Sequence, residues 1–105
     1  MELSAMAGSV ATLLKQRKCT VSVAESSSGG LISAALLSIP GASNYFVGGG
    51  VIYTRGARRN LMGVSEEIAT MPGANEEYAL IMARQMREKL VTDWALCETG
   101  ASGPG

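Results

Sequence analysis

Ser26, Ser27 and Ser28 follow Glu25 directly and precede Gly29 and Gly30. Hydroxyls and free backbone N–H groups in a glycine turn ahead of a helix can cradle a phosphate. Ser and Gly also fill ordinary turns for conformational reasons, so this run alone leaves both readings open. Glu25 is ambiguous in the same way, since a carboxylate beside the turn can orient a hydroxyl or bond the backbone of its own loop; the second role is favoured. Two more polar segments, residues 53–58 and 98–105, carry Tyr53, Arg58, Thr99 and Gly100. The three segments together favour a ligand site over ordinary turns.

The chain has no His. That removes the usual general base and the commonest zinc ligand, and it excludes a Ser-His-Asp triad within the chain. Cys19 and Cys97 lie far apart with no second Cys or His beside either. Both read as reduced core residues, no metal site is visible, and no cofactor is called for. Methionine at helical spacing reads as core filler rather than as a ligand set.

Elements must hold these loops in place, and the composition bounds them. At 105 residues, with 47% hydrophobic and 17% charged, the chain suits one globular domain, residues 1–105. Nine basic residues balance nine acidic ones, so no positive field draws it to nucleic acid or an anionic membrane. Apolar runs fall short of the roughly 18 residues that span a bilayer, and residues 1–10 lack a secretory pattern. A cytoplasmic location is expected.

Leu3, Met6, Ala7, Val10, Leu13 and Leu14 recur at helical spacing, followed by Lys15, Arg17 and Lys18. Cys19, Val21 and Val23 alternate with polar residues up to Ala24, which reads as a strand. Leu31 to Leu36 resume a helical period that Pro40 and Gly41 stop. Gly48, Gly49 and Gly50 suggest close backbone approach ahead of a second strand at Val51, Ile52 and Tyr53. A short helix at residues 55–62 ends at Gly63 and exposes a basic face. Ser65 caps a further turn, and Asn75 caps the most secure helix, with Tyr78, Ala79, Met82, Met86 and Leu90 on one face. Trp94 to Cys97 form the third strand. The expected fold is a three-layer α/β/α sandwich with a mostly parallel sheet and its C-terminal strands missing. Ligands of such sheets gather beyond the carboxyl ends of the strands, where the three polar loops lie.

Five segments also carry a resemblance: Ala24-Glu25-Ser26-Ser27-Ser28-Gly29-Gly30, Pro40-Gly41-Ala42-Ser43, Gly50-Val51-Ile52-Tyr53, Leu61-Met62-Gly63-Val64 and Thr99-Gly100-Ala101-Ser102-Gly103-Pro104. In order and approximate spacing the chain resembles the CinA C-terminal domain family almost from end to end. Members include amidohydrolases that convert nicotinamide mononucleotide to nicotinic acid mononucleotide and ammonia. The resemblance implies Ser43 as the catalytic serine, Tyr53 as the tyrosine near it and Thr99 as a hydroxyl of the third loop. It places Arg58 where the family has a lysine that helps activate the serine; a guanidinium stays protonated and cannot accept that proton. Lys15, Lys18 and Lys89, the only lysines, read as remote from the motifs. Ser27 and Ser28 stand where the family has Cys and Thr. Family domains also continue past the Gly-Pro segment, which makes this chain a fragment or a divergent member.

The resulting expectation is a serine-based amidohydrolase of a small nucleotide. Ser43, Tyr53 and Arg58 are its catalytic residues, and Glu25, Ser26, Ser28, Gly29, Gly30, Thr99 and Gly100 bind the substrate. The competing expectation is an inactive member that binds a nucleotide or a protein through the same loops, in which Arg58 holds a phosphate with its planar fork. A homodimer is compatible with the resemblance and with unfinished sheet edges.

Overall fold

The computed structural model describes residues 2–100. Three strands form one parallel sheet, β1 (Val21–Glu25), β2 (Phe46–Val51) and β3 (Trp94–Cys97), in the order β2-β1-β3. Helices α1 (Leu3–Arg17) and α2 (Leu31–Leu37) cover one face; α3 (Arg55–Asn60), α4 (Glu66–Ala69) and α5 (Glu76–Leu90) cover the other. Ala7, Ala11, Leu14, Val21, Val23, Leu36 and Tyr45 make the first core, and Ala24, Ile52, Met62, Tyr78, Met82 and Met86 the second. The chain is the expected α/β/α sandwich. Among the described residues no helix is long and apolar enough to cross a membrane.

Cap chemistry sets several boundaries as the sequence implies. Asn75 and Ser65 accept from the backbone N–H of Tyr78 and Ile68, and Gly63 stops the preceding turn at φ 65°. Other expectations need correction. α1 buries only Ala7, Ala11 and Leu14, leaving Leu3, Met6, Val10 and Leu13 substantially exposed. β1 runs one residue further than expected, to Glu25, and is buried on both faces as a central parallel strand should be. Its polar Ser22 is accommodated by a 2.8 Å hydrogen bond to the buried Thr92 hydroxyl.

The second strand differs most. β2 occupies Phe46–Val51, with the three glycines inside it, and ends before Ile52 and Tyr53. A Cβ on Gly49 would lie 2.1 Å from the Val23 carbonyl oxygen. Only a bare backbone can pair there, which is why a glycine run forms a strand despite its poor intrinsic preference.

One strained residue ends α5. Val91 is β-branched, 85% exposed and held at φ 54°, a conformation that costs a side-chain-bearing residue about 1–2 kcal/mol. Val91→Gly is expected to stabilise the chain by about 1 kcal/mol, read as a higher urea midpoint at unchanged slope.

Candidate functional site

The site lies at the carboxyl ends of the strands, and two carboxylates organise it. Glu25, the last residue of β1, is 1% exposed. One of its oxygens accepts from the Ser28 hydroxyl at 2.6 Å and the Ile32 N–H at 2.9 Å; the other accepts from the Ser33 N–H at 2.9 Å and the Ser33 hydroxyl at 2.7 Å. α2 needs this help because its N-cap, Gly30, has no side chain to cap the free N–H groups. Burial pushes the Glu25 carboxyl up, but bonds from Ser28, Ser33 and Ile32 outweigh it and hold the group below the usual carboxylate range. Glu25 therefore organises the loop from beneath.

Gly29 and Gly30 adopt φ 62° and 102°, which a larger residue would resist, so the turn can fold back over Glu25. The second carboxylate is Glu98, the first residue after β3. Its Oε1 accepts from the Ser26 N–H at 2.8 Å, the Ser28 N–H at 2.9 Å and the Ser28 hydroxyl at 2.6 Å, and its Oε2 accepts from the Ser27 hydroxyl. Burial raises the Glu98 carboxyl, yet these donors from Ser27, Ser28 and Ser26 bring it down to about 2. Ser28 is in reach of both carboxylates with a single hydroxyl proton, so it can serve only one of them at a time. Glu98 escapes a sequence reading because its partners lie some seventy residues away; its only signal is its place at a strand end, matching that of Glu25.

Thr99 donates its hydroxyl to the Gly73 carbonyl at 2.7 Å, tying the third loop to the segment before α5. Gly100 packs against Ser27, whose Oγ would be 3.3 Å from a Cβ at that position. An open cleft of 480 Å3 lies alongside, lined by Ala74, Asn75, Glu76, Ala79, Cys97, Glu98 and Thr99. Cys97 is a free thiol whose acidity burial and the adjacent Glu98 charge suppress, raising its pKa to about 11. It is neutral and inert near neutral pH.

Two of the residues expected to be catalytic, Ser43 and Tyr53, lie at opposite ends of β2. Ser43 is exposed in a short 3-10 helix, Ala42–Asn44, ahead of β2, whereas Tyr53 follows β2 and is 58% exposed. The strand between them spans about 20 Å at its usual rise. Lys15 is not remote from the Ser43 motif, because its ammonium donates to the Pro40 carbonyl at 2.7 Å. Arg58 is no part of an exposed basic face. It is 8% exposed, donates from one terminal nitrogen to the Ala69 and Met71 carbonyls at 2.9 and 2.8 Å, and lies 4.2 Å from the centre of the Tyr78 ring. These contacts staple α3 to α4 and α5.

The sheet order and the helices on both faces define an α/β/α domain with its polar loops at the carboxyl edge. The chain belongs to the CinA C-terminal domain family, whose sequence model matches residues 3–105. It is 42% identical over 101 residues to a CinA-like protein of Gloeobacter violaceus, and 44% identical over 101 residues to one of Synechocystis. Each match covers 95% of this chain and 24% of the relative. The chain thus spans about a quarter of the length of these relatives. A solved structure of the competence/damage inducible protein CihA from Agrobacterium tumefaciens superposes with a TM-score of 0.88 at 36% identity, covering 98% of this chain and 63% of that one. The competence damage-inducible protein A of Klebsiella pneumoniae gives 0.91 at 25% identity, covering 100% and 66%.

Proposed function

We propose that this domain binds nicotinamide mononucleotide at the carboxyl-edge cleft and hydrolyses its carboxamide, releasing ammonia. The observation that carries this reading is the charge of the cleft. Its ionisable oxygens belong to Glu76 and Glu98, a lining that suits a cationic pyridinium ring and the N–H donors of a carboxamide. Hydrolysis turns that amide into a carboxylate beside Glu98, and like-charge repulsion then favours release of the product. The family resemblance of the five motifs supports the same substrate class.

In this reading Ser43 attacks the amide carbon, Tyr53 relays the serine proton to the departing ammonia, and water then hydrolyses the resulting ester to the acid and restores the serine hydroxyl. Since β2 separates the two within a copy, Ser43 meets Tyr53 from a second copy. β2 is an edge of the sheet, and antiparallel pairing of two such edges about a two-fold axis near Gly48 sets residue 43 of one opposite residue 53 of the other. The test is ammonia release by the wild-type chain, by Ser43→Ala, by Tyr53→Phe and by the two variants refolded together. Each variant alone is expected to be inactive. The mixture should recover about a quarter of wild-type activity, because half of a random dimer population is mixed and carries one intact site of two. An inactive mixture beside an active wild type would place both groups in one copy and discard this arrangement.

The second reading is a binding module without turnover. Arg58 favours it, because a guanidinium stapled to Ala69, Met71 and Tyr78 stays protonated and cannot accept the proton of a serine. Binding of nicotinamide mononucleotide with no ammonia from the wild-type chain would select it.

A further inference from the structure

The Ser26–Ser28 turn has the donors of an anion cradle, but an anion from the chain itself already fills it. Two backbone N–H groups and two hydroxyls converge on the single Glu98 carboxylate, which arrives from the end of a different strand. These donors belong to the loop and not to the first turn of α2, whose Ile32 and Ser33 N–H groups are taken by Glu25. The cradle and the helix end are thus separately occupied by two carboxylates, with Ser28 between them.

We propose that Glu98 is a specificity-determining residue of this site. It acts as an internal anion that closes the serine cradle to phosphates and carboxylates and leaves a negative wall toward the cleft. The inference deepens the functional reading above and rests on it for the identity of the ligand. It reverses the expected role of Ser26 and Ser28, which hold Glu98 in place rather than the phosphate of a nucleotide. The phosphate of a bound mononucleotide then lies outside the cradle, and the cationic ring faces Glu98. The two-carboxylate arrangement gives the closure an exit: when Ser28 turns its proton toward Glu25, the Glu98 oxygen loses one of its donors.

The experiment measures binding of inorganic phosphate by calorimetry to the wild-type chain, to Glu98→Gln and to Glu98→Ala, with folding checked by circular dichroism. Removing the charge weakens the side chain's hold on the four donors and lifts its repulsion of a second anion, so both variants should bind phosphate about tenfold or more tightly than wild type. Adding Ser27→Ala to Glu98→Ala should weaken that gain. Glu98→Gln keeps the side chain's shape and one acceptor oxygen, so it decides the matter if Glu98→Ala does not fold. Equal phosphate affinity in wild type and Glu98→Gln would overturn the proposal, as would a gain that survives Ser27→Ala unchanged. Phosphate binding is read without turnover, so a chain that releases no ammonia still tests Glu98, and an active enzyme with an unchanged phosphate affinity refutes the closure alone.

Discussion

Glu25→Ala is expected to destabilise the chain by about 3–5 kcal/mol, a large share of the roughly 5–15 kcal/mol available to a domain of this kind. The carboxylate is 1% exposed and accepts from four donors, two of them the otherwise uncapped N–H groups of α2. Removing it strands those donors beneath the loop, and each buried unsatisfied donor costs about 1–3 kcal/mol. Glu25→Gln should cost less but still substantially, because its amide N–H2 must face donors on one side. Urea unfolding followed by far-ultraviolet circular dichroism measures both. If Glu25 contacts substrate instead, the variants will keep the wild-type midpoint and lose only ligand affinity.

The same network sets the acid limit of the fold. Glu25 and Glu98 both have folded-state pKa values below the unfolded one, Glu98 at about 2 against 4.5 for a free glutamate. For lowered carboxylates the stabilisation is complete above the unfolded value and is lost as pH falls through the folded one. Stability should therefore decline below about pH 4.5 and continue falling toward pH 2. In Glu98→Gln the part of that decline due to Glu98 should be missing.

What the sequence made legible follows from the range of each interaction. Asn75, Ser65 and Gly63 were readable because a cap is settled within three or four residues of the chain. The layer order was readable because parallel strands joined by helices allow few alternatives. Arg58 was not, since a guanidinium in the run Arg55-Gly56-Ala57-Arg58-Arg59 resembles a solvated helix face until the chain returns with the Ala69 and Met71 carbonyls. Its neighbour Arg59 does behave that way, pairing at the surface with Glu66. The sequence pattern puts Tyr53 inside the second strand, at residues 51–53, and Ser43 in the loop well before it. With β2 at Phe46–Val51 they fall at its opposite ends, so the pair that the family resemblance implied is separated by the strand. Glu98 went unseen because nothing local distinguishes a loop glutamate from one that will meet a serine turn across the sheet.

Gly49→Ala should abolish the folded state altogether. An added Cβ would lie 2.1 Å from the Val23 oxygen and 3.1 Å from the Val23 carbonyl carbon, both main-chain atoms of the central strand. No rotamer change relieves a clash with backbone, so β1 and β2 must separate or slip, and a one-residue slip turns every side chain of β2 to the other face. The neighbouring glycines supply the control. A Cβ at Gly48 meets Leu90 Cδ1 at 3.4 Å and one at Gly50 meets Ile52 Cδ1 at 3.5 Å, both the ends of flexible side chains. Gly48→Ala and Gly50→Ala should therefore remain folded, within about 1 kcal/mol of wild type. Circular dichroism and amide dispersion in a proton–nitrogen spectrum separate the three variants, and a folded Gly49→Ala would refute the close approach of β1 and β2. The consequence reaches the site, because β2 carries Ser43 before its first residue and Tyr53 after its last. A glycine with no chemistry of its own thus sets the spacing of both hydroxyls and fixes the edge along which a second copy would have to pair.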